Sequence, residues 1–521
     1  MNYLLFYPDE MRAESLACYG HPVVRTPNFD RVAAEGTVFE NAYSTHPVCA
    51  PSRASLVTGW FPHVQGHRTL RYLLDETTPN FFKYLREAGF TTCLAGKNHC
   101  FTDEATDASF DRATATFLPK GQDLASFIAG EKTGGDYTML RRPLPQEEMA
   151  DDNDFRYVDE GVEFIRDRAR EGKPFFLFQS LNSPHPPYTA AERYYHMYDP
   201  DKLPPLRDLR WLEGKPALYR LIRKYRELDQ QDESLFRKIN AVYLGMISYI
   251  DMLLGRLIDT LEECGVYDDT TIIICTDHGD FGGDAGLVEK WPSAVDDMIA
   301  KVPLIIRRPG SAAGHRVAAP VQSIDMFPTI CDVEGIGIRH DQFGVSLRRQ
   351  LEGEPGDEDR LVYCEGGYDT REPHCFEGTP AISAMQVPGT QYYPKGLQQQ
   401  EEPESVCRVV MQRGKRYKLN IRTNGENELY DLQADPLEYE NLYHDPEYQA
   451  VRDELMHKML IWLIGTSDVG PWAGHVEEDK ANVQPEALFH GREGQLRGAS
   501  TACSTSSLSA LVSGAASPSR N

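Results

Sequence analysis

Short apolar runs alternate with stretches of helical period through the first two thirds of the chain. The runs at 3–7, 91–95, 175–180, 271–276 and 303–307 are bounded by Gly, Pro or Asp and predict strands. Ile272-Ile273-Ile274 has the β-branched density of a strand covered on both faces. Between the runs lie helical patterns. Thr26-Pro27 caps and opens one that continues through Ala34 and stops at Gly36. Others cover 79–88, 157–171 and a long span from about 233 to 263. This alternation predicts an α/β fold with a large, mostly parallel sheet sandwiched by helices.

The pattern changes after about residue 360. Runs at 408–411, 417–422 and 428–431 are separated by turns at Arg413-Gly414-Lys415 and Asn424-Gly425, which predicts an antiparallel meander. A helical pattern over 447–464 follows. A chain of 521 residues exceeds the roughly 250–300 residues at which one core stops growing. The expected division is a larger domain over 1–360, a smaller antiparallel-sheet-plus-helix domain over 361–470, and an extension over 471–521. The Ser/Ala/Gly-rich end from about 494 predicts disorder.

Charge narrows the functional classes. A net charge of -25, with no basic stripe, argues against a nucleic-acid partner. An anionic substrate would need positive charge gathered locally against this field, for which Arg53, Lys97 and Lys290 are candidates. No run approaches the ~18 consecutive apolar residues of a membrane span, so no membrane partner is expected. The opening Met1–Tyr7 run has no charged flank or cleavage site, and the eleven cysteines follow no framework spacing. A cytoplasmic location with reduced thiols is the expectation, although a chain stripped of a leader would read the same way.

Chemistry-bearing residues cluster where open parallel sheets place ligands, at the carboxyl ends of strands. Asp9-Glu10 follows the first predicted strand and Asp277-His278 follows the fourth. Together they suit one hard divalent cation, calcium, magnesium or manganese. The alternative is that they cap helices. Cys49 stands just before Pro51, which can open a helix and leave the thiol near an anion-favouring N-terminus. The alternative there is a buried structural thiol.

Cys49-Ala50-Pro51-Ser52-Arg53, continuing through Leu56 to Thr58-Gly59, resembles the signature of type I, formylglycine-dependent sulfatases of the alkaline phosphatase superfamily. Cys18-Tyr19-Gly20, Thr26-Pro27-Asn28 and Asp30-Arg31 resemble the approach to it. Gly96-Lys97-Asn98-His99, Ser183-Pro184-His185, Thr276-Asp277-His278-Gly279 and Lys290-Trp291 resemble the later motifs, in order. Asn427 to Leu432, Asp435-Pro436 and Glu440-Asn441-Leu442 resemble the C-terminal meander. One departure is Glu10, where many members carry a second aspartate.

The resemblance implies an alkaline phosphatase-like fold and hydrolysis of a sulfate monoester. It implies that a formylglycine-generating enzyme converts Cys49 to formylglycine, whose gem-diol attacks sulfur and later expels sulfate. It further implies a divalent metal, calcium first, held by Asp9, Asp277, His278, position 49 and Glu10. Arg53 would hold the diol and brace the metal site, and Lys97 and Lys290 would neutralise the sulfuryl oxygens. His185 would protonate the leaving oxygen, and His99 would act as base. The rival readings are a phosphonate monoester or phosphodiester hydrolase of the same superfamily, a non-catalytic protein binding sulfated ligands, and a plain thiol hydrolase. Substrate choice is expected in the stretches 100–150 and 186–232 and beyond 466. Tyr188, Tyr194, Tyr195 and Trp211 there would either stack on a substrate ring or pack internally. Homo-oligomerisation, with the C-terminal segment reaching a neighbouring subunit, stays open.

Overall fold

The computed structural model describes residues 1–114, 137–369 and 388–470. The expected disorder from 494 and the extension over 471–521 lie outside them.

An eight-stranded sheet carries the fold. Its strands are β1 (Asn2–Asp9), β2 (Thr37–Phe39), β3 (Thr91–Gly96), β4 (Arg112–Ala113), β5 (Phe175–Pro184), β6 (Thr270–Cys275), β7 (Leu304–Arg307) and β8 (His315–Val317). Their order across the sheet is β8-β2-β7-β6-β1-β5-β3-β4. All pairings are parallel except those of β7, which runs antiparallel to β2 and β6. β1 sits centrally, in register with Leu177 of β5 and Ile272 of β6 at Leu4. All six residues of β6 are buried, as the isoleucine run predicts.

Helices α1 (Pro27–Glu35), α2 (Cys49–Thr58), α3 (Phe81–Glu87), α4 (Asn153–Glu171) and α5 (Glu233–Glu263) surround the sheet strands in sequence. α4 begins earlier than its apolar pattern because Asp152 caps it, accepting from the backbone N–H groups of Asp154 and Phe155. α4 packs on β3 and β5, and α5 packs on α4 and β5. α5 is long and apolar enough to cross a membrane, and 83% of its apolar window is buried within the protein.

The small sheet has one strand more than its sequence pattern shows. β9 (Val362–Gly366), β10 (Val409–Arg413), β11 (Tyr417–Arg422) and β12 (Glu428–Asp431) form an antiparallel meander in that order. β9 escapes detection because its partner β10 lies more than forty residues on, so no turn signal joins them. Helix α6 (Gln449–Gly465) packs Leu455 and Met459 against Leu419 and Leu429 of this sheet.

The aromatic residues of the 186–232 stretch belong to the core. Tyr188 and Trp211 are fully buried and Tyr194 and Tyr195 nearly so. Tyr188 Oη donates to Asp280, and Trp211 Nε1 donates to the carbonyl of Leu437. These side chains pack internally and offer no stacking surface.

Candidate active site

Parallel β1, β5 and β6 lie side by side and deliver Asp9, Ser180 and Asp277 to one edge of the sheet. α2 approaches that edge with its first turn. The Ser52 hydroxyl fixes the approach by donating to the Asp277 carbonyl at 2.8 Å. Cys49, the first residue of α2, is 1% exposed. Its Sγ lies 3.2 Å from His278 Nε2 and 3.5 Å from Asp9 Oδ1.

Arg53 organises the carboxylates. Its Nη2 donates to Asp9 Oδ2 and its Nε to Asp277 Oδ2, both at 2.9 Å, while Nη1 donates to Ser180 Oγ at 2.6 Å. The guanidinium also lies over the Tyr7 ring, 4.8 Å from its centroid. Lys97 Nζ donates to the same Asp9 Oδ2 at 2.6 Å. With both Oδ2 atoms occupied by cations, each Oδ1 faces the gap, 3.9 Å from His278 Nε2. His278 Nδ1 lies 2.9 Å from the Gly279 carbonyl, which places the proton on Nδ1 and the lone pair on Nε2.

Asp9, Cys49, Asp277 and His278 are all buried and offer ligand atoms within 4.8 Å of one another, a candidate metal site. Two carboxylate oxygens, an imidazole nitrogen and a sulfur fit a divalent cation. An oxygen at position 49 instead of sulfur would make the set three oxygens and one nitrogen, the pattern for a hard cation. Burial alone would keep Asp9 protonated, but Lys97 and Arg53 hold its carboxyl well below the usual range. Burial, and then the charge of Asp9, pushes the Cys49 thiol well up.

Glu10 stands apart from this quartet. It adopts a left-handed backbone at φ 69°, and its Oε2 accepts from Lys290 Nζ at 3.0 Å. Lys290 Nζ is also 2.8 Å from His185 Nε2, and His185 Nδ1 lies 2.7 Å from the Pro186 carbonyl. Asp9, Glu10 and His185 form a second group of ligand atoms within the same limit. Burial, Lys290 and Lys97 hold His185 well below the ordinary imidazole range. His99 is likewise held low, by burial and then Lys97.

Asp9, Glu10, Cys49, Arg53, Lys97, His185, Asp277, His278 and Lys290 are thus brought together at one end of the sheet, and His99 lies in the field of Lys97 and Asp9. Some members carry no sequence signal. Glu289, at φ 62°, pairs with Lys290, Arg226 and Lys395; burial alone would raise its pKa, but Lys395, Arg226 and Lys290 hold its carboxyl well below the usual range. Ser180 was findable, since it ends the predicted strand 175–180. Lys395 and Arg226 were not, because each lies far from the motifs along the chain.

The sulfatase family model matches residues 1–336, and the model described as N-sulphoglucosamine sulphohydrolase, C-terminal, matches residues 390–463. The chain is 29% identical to the multifunctional alkaline phosphatase superfamily protein PehA of Trinickia caryophylli, covering 89% of this chain and 93% of that one. It is 28% identical to the choline-sulfatase of Rhizobium meliloti, covering 85% and 83%. Among solved structures it is similar to the phosphonate monoester hydrolase SpPMH from Silicibacter pomeroyi. That likeness has a TM-score of 0.72 and 27% identity over 89% of this chain and 95% of that one. With its motifs assembled around Cys49, the chain belongs to the sulfatase family of the alkaline phosphatase superfamily and is a sulfuric ester hydrolase.

Proposed function

We propose that the protein hydrolyses a sulfate monoester with a nucleophile derived from Cys49, beside one divalent cation, calcium first. The observation that carries this reading is the position of Cys49 Sγ, at the opening of α2 and 3.2 Å from His278 Nε2. A cation at the quartet would lower the pKa of a hydroxyl at position 49 and take up charge on the sulfuryl group. Formylglycine at position 49 would supply that hydroxyl as a hydrate and release sulfate by returning to the aldehyde.

The chain's own residues do the rest. Arg53 fixes the two carboxylates and so sets the width of the site. Lys97 and Lys290 place positive charge where sulfuryl oxygens would lie, in a pocket dry enough for that charge to count. His185 Nε2 and Lys290 Nζ lie 2.8 Å apart, and the proton that Lys290 shares with this Nε2 is the one proposed to reach the leaving oxygen, leaving Lys290 neutral. His99 is proposed as the base that takes the remaining hydroxyl proton. Glu10, paired with Lys290 and 3.4 Å from His185 Nε2, supports this acid arm.

Two measurements test the reading. Mass analysis of the Cys49 peptide from active protein is expected to show loss of the thiol to an aldehyde. A persistent thiol in fully active protein would remove the formylglycine route. Turnover of phenyl sulfate is expected to exceed that of phenyl phosphonate monoesters. A hundredfold preference for the phosphonate would make the protein a phosphonate monoester hydrolase instead.

A further inference from the structure

Strand β5 loses a neighbour where it reaches the site. Its ladder with β3 ends at the pair Gly96–Ser180, yet β5 continues to Pro184. On its other side the register with β1 slips. Tyr7 pairs with Ser180 and Asp9 with Pro184, so β5 advances four residues while β1 advances two. An irregularity of this kind re-aims side chains beside an active site. Its backbone N–H groups still need acceptors.

One side chain supplies two of them. Asp154 Oδ1 accepts from Asn182 N at 2.7 Å and from Asn182 Nδ2 at 3.2 Å, and Oδ2 accepts from Ser183 N at 2.7 Å. The carboxylate does for two successive N–H groups what a neighbouring strand does elsewhere in the sheet. The Asn182 carbonyl in turn accepts from His185 N at 3.0 Å, which closes a turn over 182–185. From that turn the His185 ring reaches Lys290 Nζ at 2.8 Å and lies 3.4 Å from Glu10 Oε2.

Asp154 is 1% exposed and is the second residue of α4. Helix capping does not account for its carboxylate. The cap is Asp152, which accepts from the N–H groups of Asp154 and Phe155 and is itself fixed by Tyr249 Oη of α5 at 2.8 Å. Burial, and then the charge of Asp152, raises the Asp154 carboxyl to about 6, so at neutral pH it is ionised and accepts at both oxygens. Bonds from N–H groups to an ionised acceptor are the stronger kind. α4 packs on β3, β5 and α5, which makes it a firm base for the turn.

We propose that Asp154 is a positioning residue for His185, holding Asn182 and Ser183 so that the imidazole meets Lys290 on the leaving-group side of the site. The inference rests on the sulfate-ester reading and on the place of His185 in its acid arm. Asp154 lies behind the turn and acts through it. A misplacement of about 1 Å can cost about a hundredfold in rate, which lies within the roughly 10²–10⁴ that general acid catalysis contributes.

The test measures kcat and KM for alkyl and weakly acidic phenyl sulfates against nitrophenyl sulfate, in Asp154→Asn, His185→Asn and the double variant of the full chain. The amide keeps the size of the side chain but has one acceptor oxygen. Asp154→Asn is expected to lower kcat about tenfold or more for the alkyl and weakly acidic phenyl esters and less than about twofold for nitrophenyl sulfate, with KM little changed. In the His185→Asn background the same substitution is expected to cost less than about twofold for any ester, because the two residues act as one unit. A tether that serves stability alone would lower kcat alike for every ester, or by the same factor in both backgrounds, and either result would overturn the positioning role. Asp154→Glu keeps the charge and both acceptors on an arm one methylene longer. It is expected to show the same selective loss, and it decides the matter where Asp154→Asn does not fold; equal losses across leaving groups in this variant count against the proposal in the same way. Leaving-group dependence in His185→Asn but in neither Asp154 variant would overturn the positioning role alone. A His185→Asn enzyme without such dependence would overturn the acid arm and the inference with it. Absence of sulfate release from every ester by the parent protein would overturn the hydrolase reading itself.

Discussion

Arg53 Nε and Asp277 Oδ2 form an ion pair of 2.9 Å in which the two side chains are 1% and 0% exposed. The same guanidinium holds Asp9 Oδ2, so one side chain spaces two carboxylates from different strands. Breaking a buried pair by removing one partner costs about 3–5 kcal/mol. Arg53→Ala is expected to lower the thermal midpoint and to cut kcat/KM by about a hundred- to a thousandfold, a loss of the size seen when an electrostatic stabiliser is removed. Arg53→Lys, which cannot span both carboxylates, is expected to recover only part of the stability. Calorimetry and steady-state kinetics read both, and an Arg53→Ala enzyme with native kcat/KM would contradict the arrangement.

Metal removal should register in stability as well as turnover. A cation at 100 times its dissociation constant stabilises the native state by about 2.7 kcal/mol. Chelation is expected to lower the midpoint and added calcium to restore it. Asp277→Asn is expected to abolish the calcium response. Thermal scans with and without chelator decide this, and an identical calcium shift in the variant would place the ion elsewhere.

The acid arm makes a prediction about leaving groups. His185 Nε2 lies 2.8 Å from Lys290 Nζ, and proton donation of this kind contributes roughly 10²–10⁴ in rate. His185→Asn is expected to cost that factor for alkyl or weakly acidic phenyl sulfates and far less for nitrophenyl sulfate, whose phenolate needs little protonation. A uniform loss across leaving groups would assign His185 to binding.

His63 gives a pH signature away from the reaction centre. Burial opposes its charge, but the hydrogen bond and charge of Glu365 prevail and raise its pKa. Its Nε2 contacts the carbonyl of Thr466, just beyond α6. A histidine raised in the folded state adds stability that is complete below its unfolded pKa of about 6.5 and vanishes as pH climbs through the folded value. The thermal midpoint is therefore expected to fall across that window, and Glu365→Gln to flatten the fall. Equal pH slopes in the two proteins would show the pair to be silent.

Gly96 closes β3 at φ 111°, and a Cβ there would lie 1.9 Å from the Ser180 carbonyl. Gly96→Ala is expected to push β3 from β5 and to displace both Lys97 and Ser180. A loss of about 1–3 kcal/mol from backbone strain alone should be accompanied by reduced kcat. Unfolding curves and kinetics of the variant would expose a tolerant site by leaving both unchanged.

Much of this architecture was legible because its parts obey local rules. β6 announced itself through three isoleucines, and α1 through Thr26, Pro27 and Gly36. The motif residues were legible because the chemistry ties Cys49, Lys97, His185, Asp277 and Lys290 to short neighbours along the chain. Glu10 was less so: its place after β1 suggested an oxygen ligand, while the structure turns its carboxylate towards Lys290. That turn depends on a left-handed backbone, which no residue type at that position announces. Arg226 and Lys395 were invisible because their partner Glu289 is reached only through the folded topology. β9 was missed for the same reason, since its pairing is set by distant β10.

Cys49 is 1% exposed, on a helix locked to Asp277 through Ser52. No second protein can grip a side chain so enclosed without dismantling the sheet edge around it. Any enzyme that edits this residue must therefore meet the chain while α2 is still undocked. On the proposed formylglycine route, the reactivity of the finished protein would be settled before α2 docks, and a chain that folded first would keep its thiol.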